Sequence, residues 1–342
     1  MSSNVDLVTN ENPNEIYLSS KSASSITSDI KDITRKSIIP EGEKLHVVCM
    51  MSNPINYRRR VQLAHEFIER MSKEPDTVLY VVEIAYDCNP VFEITDPTNP
   101  RNLQLRTKEA LWHKENAWSI GTEKLLPHDW SAVAYVDMDI IFESPTWASD
   151  AVKILLSTKD PILGQLHSHI VDMDREENAM SLFQGCAYLT THKKGNVYGG
   201  PKYQHPGLTF MMNRAAYDKL GIFDIGIIGS GDYLSFWAIK GMAKYSFPIG
   251  ISEAFKKKVF EYEKKAMGII MTYVPGVVRH FYHGSKENRK YIGRNEIMIK
   301  HKFDPDTHLV RDKNGLLQPS KNCPDELVKD VYKYFTERKE DD

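Results

Sequence analysis

The stretch VAYVDMDIIF, running from Val133 to Phe142, sets two aspartates one residue apart inside an otherwise apolar run. A buried strand followed at once by acids is how an open α/β sheet presents polar groups at its carboxyl edge. Side chains alternate along a strand, so Asp137 and Asp139 would fall on one side, where they can share a cation. The same triplet recurs as Asp172-Met173-Asp174, but Arg175, Glu176 and Glu177 follow it directly. That second copy reads as the acid-rich, solvated first turn of a helix, where carboxylates complement the helix dipole. The first copy is therefore the candidate for chemistry.

Working outward, buried strands alternate with helices. LHVVCMM (Leu45 to Met51) and VLYVVEIAY (Val78 to Tyr86) are short apolar runs of strand type. Between them Val61, Ala64, Ile68 and Met71 recur at spacings of three and four until Pro75, which predicts an amphipathic helix. RTKEALWHKENAWSIGTEKLL (106–126) is expected to be helical, and SAVAYVDMDIIF (131–142) a strand. The alternation predicts a mostly parallel α/β sheet flanked by helices, with ligands outside the carboxyl edge. The second half is less regular, with GNVYGGPKYQHPG and GIIGSGD as punctuation and GLTFMM and GIIMTYVPGVV as apolar strands. Residues 1–42, rich in Ser, Asn, Asp and Thr, predict a mobile arm ahead of a single domain over 43–342. Within that domain three stretches are distinguished: the regular 43–150, the less regular 151–310, and a C-terminal helical extension over 311–342.

The 342 residues are 41% hydrophobic and 26% charged, an ordinary globular composition. Lys and Arg number 44 against 46 Asp and Glu, a net charge of -2, so no bulk electrostatic case exists for a nucleic-acid partner. Cys49, Cys88, Cys186 and Cys323 are scattered without zinc-ligand spacing and read as reduced thiols. No stretch reaches the roughly 18 apolar residues of a membrane span, and no signal-peptide core is present. The expectation is a cytoplasmic protein with no integral membrane span.

RHFYHGSKENRKY supplies His280 and His283, then Lys286, Arg289 and Lys290. A His-x-x-His pair beside an Asp-x-Asp makes a mixed oxygen and imidazole set suited to manganese or a similar divalent ion, with positions left for phosphate oxygens. Lys286 and Arg289 would neutralise the same phosphates. In GIIGSGDYLSFWAIKGM, Gly229 and Gly231 precede Asp232 and an apolar helix. Asp232 is either the helix N-cap or a carboxylate facing a pocket as a general base.

Taken in order, these motifs resemble the GT-A glycosyltransferases, particularly the β-1,4-galactosyltransferase type, over about residues 45–300. The resemblance implies a Rossmann-like GT-A fold with an irregular acceptor-side half. NPINYRRR is similar to the family's nucleotide loop, which puts Asn53, Pro54 and Arg58 at the donor; VVEIAYD adds Glu83, and WHKENAWSIG adds Asn116. YVDMD matches the family's Asp-x-Asp, so Asp139 inherits the metal and Asp137 a ribose-side role, with Lys286 beside the diphosphate. GSGD matches the segment carrying the base, which falls on Asp232. The family's remaining ligands, a Met and a His three residues apart, fall on His280 and His283. The resemblance further implies an inverting transfer from a nucleotide diphosphate sugar, a UDP-sugar, to a hydroxyl of a glycan or glycoconjugate, with Mn2+ (or Mg2+) as cofactor. Two other readings of the same residues stand beside it: a non-catalytic carbohydrate- or nucleotide-binding protein, and a metal-dependent phosphoryl-transfer enzyme, which the lack of a GxxxxGK[ST] phosphate loop disfavours.

Overall fold

The apolar run around the first triplet is two strands rather than one. The structure, a computed structural model, describes residues 23–192, 204–291 and 293–342. In chain order its strands are β1 (Leu45–Ser52), β2 (Thr77–Tyr86), β3 (Asn102–Thr107), β4 (Ala132–Val136), β5 (Ile140–Phe142), β6 (Ile162–Gln165) and β7 (His169–Met173). They continue with β8 (Ala179–Gly185), β9 (Gln204–His205), β10 (Thr209–Asn213), β11 (Ile270–Tyr273), β12 (Val277–His280), β13 (Leu309–Arg311) and β14 (Leu317–Pro319). All five residues of β4 are buried, as befits a central strand covered on both faces. Carboxylates cannot continue in that apolar layer without partners. At Asp137 the chain leaves it, and β5 belongs to a second sheet.

The larger sheet has the order β11-β6-β10-β4-β1-β2-β3. All its pairings are parallel except those of β10, which runs against both β4 and β6. The helix Lys114–Leu125 packs on β1 and β2, and the helix Trp147–Leu155 on β1 and β10. This is the mixed α/β architecture, with a mostly parallel central sheet flanked by helices, that the sequence predicts. The second sheet, β5-β12-β7-β8-β9, is mixed, with β12 antiparallel to β5 and parallel to β7. Two apolar runs each feed both sheets, since GIIMTYVPGVV likewise divides into β11 and β12 at Val274–Gly276.

Several local expectations change. The helix expected over 106–126 starts at Lys114, because Arg106 and Thr107 complete β3 beside β2. The helix Arg58–Ser72 buries Leu63, Ala64, Phe67 and Met71, leaving Val61 and Ile68 half-buried. Its buried stripe is thus rotated from the expected one. The second triplet is not a helix start: Asp172 is in β7, and Asp174 closes the β7-β8 hairpin by accepting from Asn178 N at 2.8 Å and Nδ2 at 3.2 Å. Within the expected arm, Ala23–Lys36 is a helix that packs on Trp147–Leu155 with Ile30 buried; residues 1–22 lie outside the described residues. So does most of the glycine-rich GNVYGGPKYQHPG. The C-terminal stretch is more than a helical extension. It adds the β13-β14 hairpin, and the helix Asp325–Glu337 inserts Leu327, Val331, Tyr334 and Phe335 into the structure along one stripe. All four cysteines are free thiols. No helix among the described residues is long and apolar enough to cross a membrane.

Because Leu327 is fully buried, Leu327→Ala should cost about 2–5 kcal/mol. Denaturant unfolding checks this, and a loss well under 1 kcal/mol would show the last helix to be peripheral.

Candidate metal centre and active site

Strand register builds the candidate metal site. The antiparallel pairing of β12 with β5 sets His280 opposite Ile140, and Phe281 N donates to Asp139 O at 2.8 Å. The parallel pairing of β12 with β7 sets His280 beside Asp172. Residues aligned on neighbouring strands project to the same face, which sets Asp172 beside His280, while Asp139 comes from the turn just before β5, tied to the end of β12 by the Phe281 bond. His283 joins them through the turn after β12, where Gly284 takes a φ of +90°.

Asp139, His280 and His283 each offer one ligand atom, all within 4.8 Å of one another. Oδ2 of Asp139 is 2.9 Å from Nε2 of His283 and 3.8 Å from Nε2 of His280, and the two Nε2 atoms are 3.2 Å apart. Nδ1–H of His280 donates to Asp172 Oδ1 at 2.9 Å, which aims Nε2 at the cluster. Among the described residues Oδ1 of Asp139 is buried with no hydrogen-bond partner. Two imidazole nitrogens facing each other beside a carboxylate with a spare oxygen fit a divalent cation. Nitrogen-containing sets of this kind suit manganese, iron or zinc better than magnesium.

The charges are strongly coupled. Burial opposes ionisation of Asp139, but His283 and His280 hold its carboxyl well below the usual range. Burial lowers the His280 imidazole, yet Asp139 and the hydrogen bonds to Asp139 and Asp172 outweigh that and push it up to about 9. His283 goes the other way, lowered by burial and by the Arg289 guanidinium. Asp172 accepts from His280 and also from Lys286 Nζ at 2.5 Å. The second triplet therefore does contribute: Asp172 stands behind a candidate ligand, which neither its neighbours nor its spacing revealed.

The two carboxylates of the first triplet diverge. Asp137 pairs with Lys114 Nζ at 2.7 Å, whereas Asp139 faces the histidines. Burial raises the Asp137 carboxyl, Lys114 opposes this and Asp139 adds to it. Burial would lower Lys114, but Asp137, Asp232 and Glu115 together hold it protonated. Asp232 is the second residue of the helix Gly231–Ile239, not its N-cap, a position taken by Ser230 with a φ of +71°. Glu115 lies directly beneath that helix start. A Cβ on Gly231 would meet its Cδ and Oε1 at 2.6 Å, which is why no larger residue fits there. Burial pushes the Glu115 carboxyl up to about 7, with Lys114 pulling it down and Asp232 pushing it further up. Lys114 and Glu115 were not among the sequence candidates. The available signal was their place at the start of a helix beginning WHKEN, facing the end of β4.

The expected donor residues divide by how fully the protein uses them. Asn53 follows β1, and its side chain accepts from Tyr57 N at 2.9 Å and donates to Tyr57 O at 3.0 Å. Pro54 O accepts from Cys88 Sγ. Glu83 is buried within β2 and accepts from the backbone of Glu93, Ile94 and Thr95, which makes it a loop clamp. Asn116 is fully buried, donating to Asp224 Oδ2 and Gly315 O and accepting from Leu317 N. It anchors the β13-β14 hairpin. Arg58 is exposed, 3.6 Å from Glu93. Lys286 is half-exposed and tied to Asp172, while Arg289 is buried, donating to His283 O and Tyr291 Oη.

No protein-family model and no curated protein matches the chain. Among solved structures it is similar to a mutant of Drosophila β-1,4-galactosyltransferase 7 in complex with manganese, UDP-Gal and xylobiose. That match has 10% identity over 84% of this chain and 98% of the other, at a TM-score of 0.36. A chain from Desulfovibrio desulfuricans, assigned as a nucleotide-diphospho-sugar transferase, is 10% identical over 76% of this chain and 98% of its own, at a TM-score of 0.31. The 4-diphosphocytidyl-2C-methyl-D-erythritol synthase of Anaerococcus prevotii is 6% identical over 70% of this chain and 90% of its own, at a TM-score of 0.29.

The His280 environment sets a pH dependence for the cation. Its pKa is raised from 6.5 to about 9, so its contribution to stability is complete below pH 6.5 and is lost as pH rises through about 9. A cation on Nε2 must displace that proton. Mn2+ affinity should therefore rise between pH 6.5 and 9, with about one proton released per ion near pH 7.5; titration calorimetry in two buffers of different ionisation heat reads this directly. A binding heat independent of buffer would contradict it. The triplets also separate: Asp139→Ala should abolish Mn2+ binding, whereas Asp174→Ala should cost about 1 kcal/mol of hairpin stability or less and leave binding intact.

Proposed function

We propose that this chain is a metal-dependent, inverting GT-A glycosyltransferase that moves a sugar from a UDP-sugar to a hydroxyl of a glycan or glycoconjugate. The observation that carries the proposal is the meeting of Asp139, from an Asp-x-Asp at the edge of a mostly parallel α/β sheet, with His280 and His283. The carboxylate of Asp232 at a helix start nearby supports it further, since its charge acts on Lys114, Glu115 and Asp137.

Asp139, His280 and His283 would hold the ion, which supplies positive charge to the departing diphosphate. Arg60, Arg289 and Arg338 lie around the single carboxylate of Glu340, so a net positive field extends from His283 to meet the same phosphates. Asp232 takes the proton of the acceptor hydroxyl as its oxygen attacks the anomeric carbon. Lys114 holds Asp137 in place and sets a positive charge close to Asp232. Glu115, near 7, lies beneath the same helix start. One displacement by that hydroxyl turns the anomeric centre over once.

The test is a panel of nucleotide sugars with Mn2+, scored by release of nucleoside diphosphate and by the anomeric configuration of the product by NMR. Asp232→Asn should slow transfer roughly 100- to 10,000-fold while leaving Mn2+ affinity near that of the wild type. Near wild-type turnover in that variant would remove the assigned base. A product with retained configuration would remove the single-displacement scheme, and no turnover with any donor would favour a binding protein.

A further inference from the structure

The two histidines of the cluster are backed by carboxylates from distant parts of the chain. Behind His280 is Asp172, from β7. Behind His283 is Glu340, from the last residues of the chain, its Oε2 3.5 Å from Nδ1 of the imidazole. That nitrogen is buried and has no hydrogen-bond partner among the described residues. The Glu340 side chain is 1% exposed, and a carboxylate so deeply buried needs compensation. Arg60 Nη2 donates to Oε1 at 3.0 Å and Arg60 Nε to Oε2, while Arg338 Nε donates to Oε1 at 2.5 Å.

The backbone is arranged to bring the tail here. At Gly284, the residue after His283, a Cβ would lie 3.0 Å from Cα of Glu340, 3.1 Å from Lys339 O and 3.2 Å from Arg338 O. The tail thus lies directly on the turn that carries the ligand, and a side chain at Gly284 would lift it off. Its position is held at both ends. Tyr57 Oη donates to Phe335 O at 2.7 Å and accepts from Lys339 N at 2.9 Å. The Asp341 carboxylate accepts from Arg58 N at 3.1 Å and Arg59 N at 2.9 Å, closing the free N–H groups at the start of the helix Arg58–Ser72. Arg60, from that same first turn, then reaches Glu340.

A ring that binds a metal through Nε2 needs its proton on Nδ1, and a carboxylate there fixes the tautomer, the ring plane and the basicity of the ligand. We propose that Glu340 is a positioning residue of the metal site, holding Nδ1–H of His283 so that Nε2 faces Asp139, as Asp172 does for His280. The proposal rests on the metal reading of Asp139, His280 and His283, and it makes the C-terminal tail part of the site. The alternative is that Glu340 only neutralises Arg60 and Arg338. In that case its loss lowers stability but leaves the affinity of each folded molecule unchanged.

The experiment titrates Mn2+ into the full-length protein, counting free ion by electron paramagnetic resonance and the folded fraction by circular dichroism. Glu340→Gln, at matched folded fraction, should bind Mn2+ 10- to 100-fold more weakly. Glu337→Gln, which removes only the surface partner of Lys290, should bind as the wild type does. With Co2+ as the probe, Glu340→Gln should also shift the d–d absorption bands, which a change in stability alone does not move. Wild-type affinity and bands in a folded Glu340→Gln overturn the proposal and leave the metal reading standing. Failure of the wild type to bind either ion overturns the metal reading, and this proposal with it. Should Glu340→Gln not fold, Glu340→Asp decides: it keeps a charge for the arginines but draws the carboxylate back from the ring. Weaker binding by that variant supports the proposal, and wild-type binding overturns it.

Discussion

The pairing of β12 between β5 and β7 is the constraint on which the candidate site depends. It aligns His280 with Ile140 on one side and with Asp172 on the other. A slip of one residue would turn His280 to the opposite face and separate it from both carboxylates. The short strands involved hold their register because the second sheet grows from the first: β4 passes into β5 through the Asp137–Asp139 turn, and β11 into β12 through Val274–Gly276. Two crossings between the same pair of sheets fix the edges that meet at the metal cluster.

Around that cluster, charge is distributed by burial. Asp139 has the two imidazoles, Asp172 has His280 and Lys286, and Glu340 has Arg60 and Arg338. Each buried carboxylate is thereby compensated, since leaving any of them unpaired would cost several kcal/mol. Glu115 is less fully compensated: burial raises its carboxyl to about 7 although Lys114, which also faces Asp137 and Asp232, pulls it down. Titratable groups set apart in this way are a mark of sites that move protons, and this one lies under the helix start that carries Asp232.

The C-terminal segment matters more than its composition suggests. The helix Asp325–Glu337 stacks Phe335 on Trp112 with ring centres 6.1 Å apart, and the residues after it reach His283. Local sequence carries little of this. ERKEDD is a solvated charge run by every local rule, and only the first turn of the distant helix Arg58–Ser72, with Asp341 on its amides and Glu340 on Arg60, holds it down so that Arg338 and Glu340 are buried.

The order of buried strands and helices, and hence a mostly parallel α/β sheet, was legible along the chain because hydrophobic periodicity is a local property. That Asp139, His280 and His283 come together was expected along the chain too, since metal-binding residue types at strand ends stand out against apolar neighbours. Whatever depended on a partner from elsewhere in the chain was misread. Asp172-Met173-Asp174 followed by acids looks like a helix start until β12 and β8 pair with it on either side. Glu83 and Asn116 read as donor-side groups along the chain, and only the fold shows that their side chains also hold the loop at Glu93–Thr95 and the β13-β14 hairpin. Lys114, Glu115 and Glu340 are ordinary charged residues in a linear reading. Their roles were decided by the folded arrangement alone, because burial and pairing of a charge depend on which distant groups arrive beside it, and no local pattern encodes that.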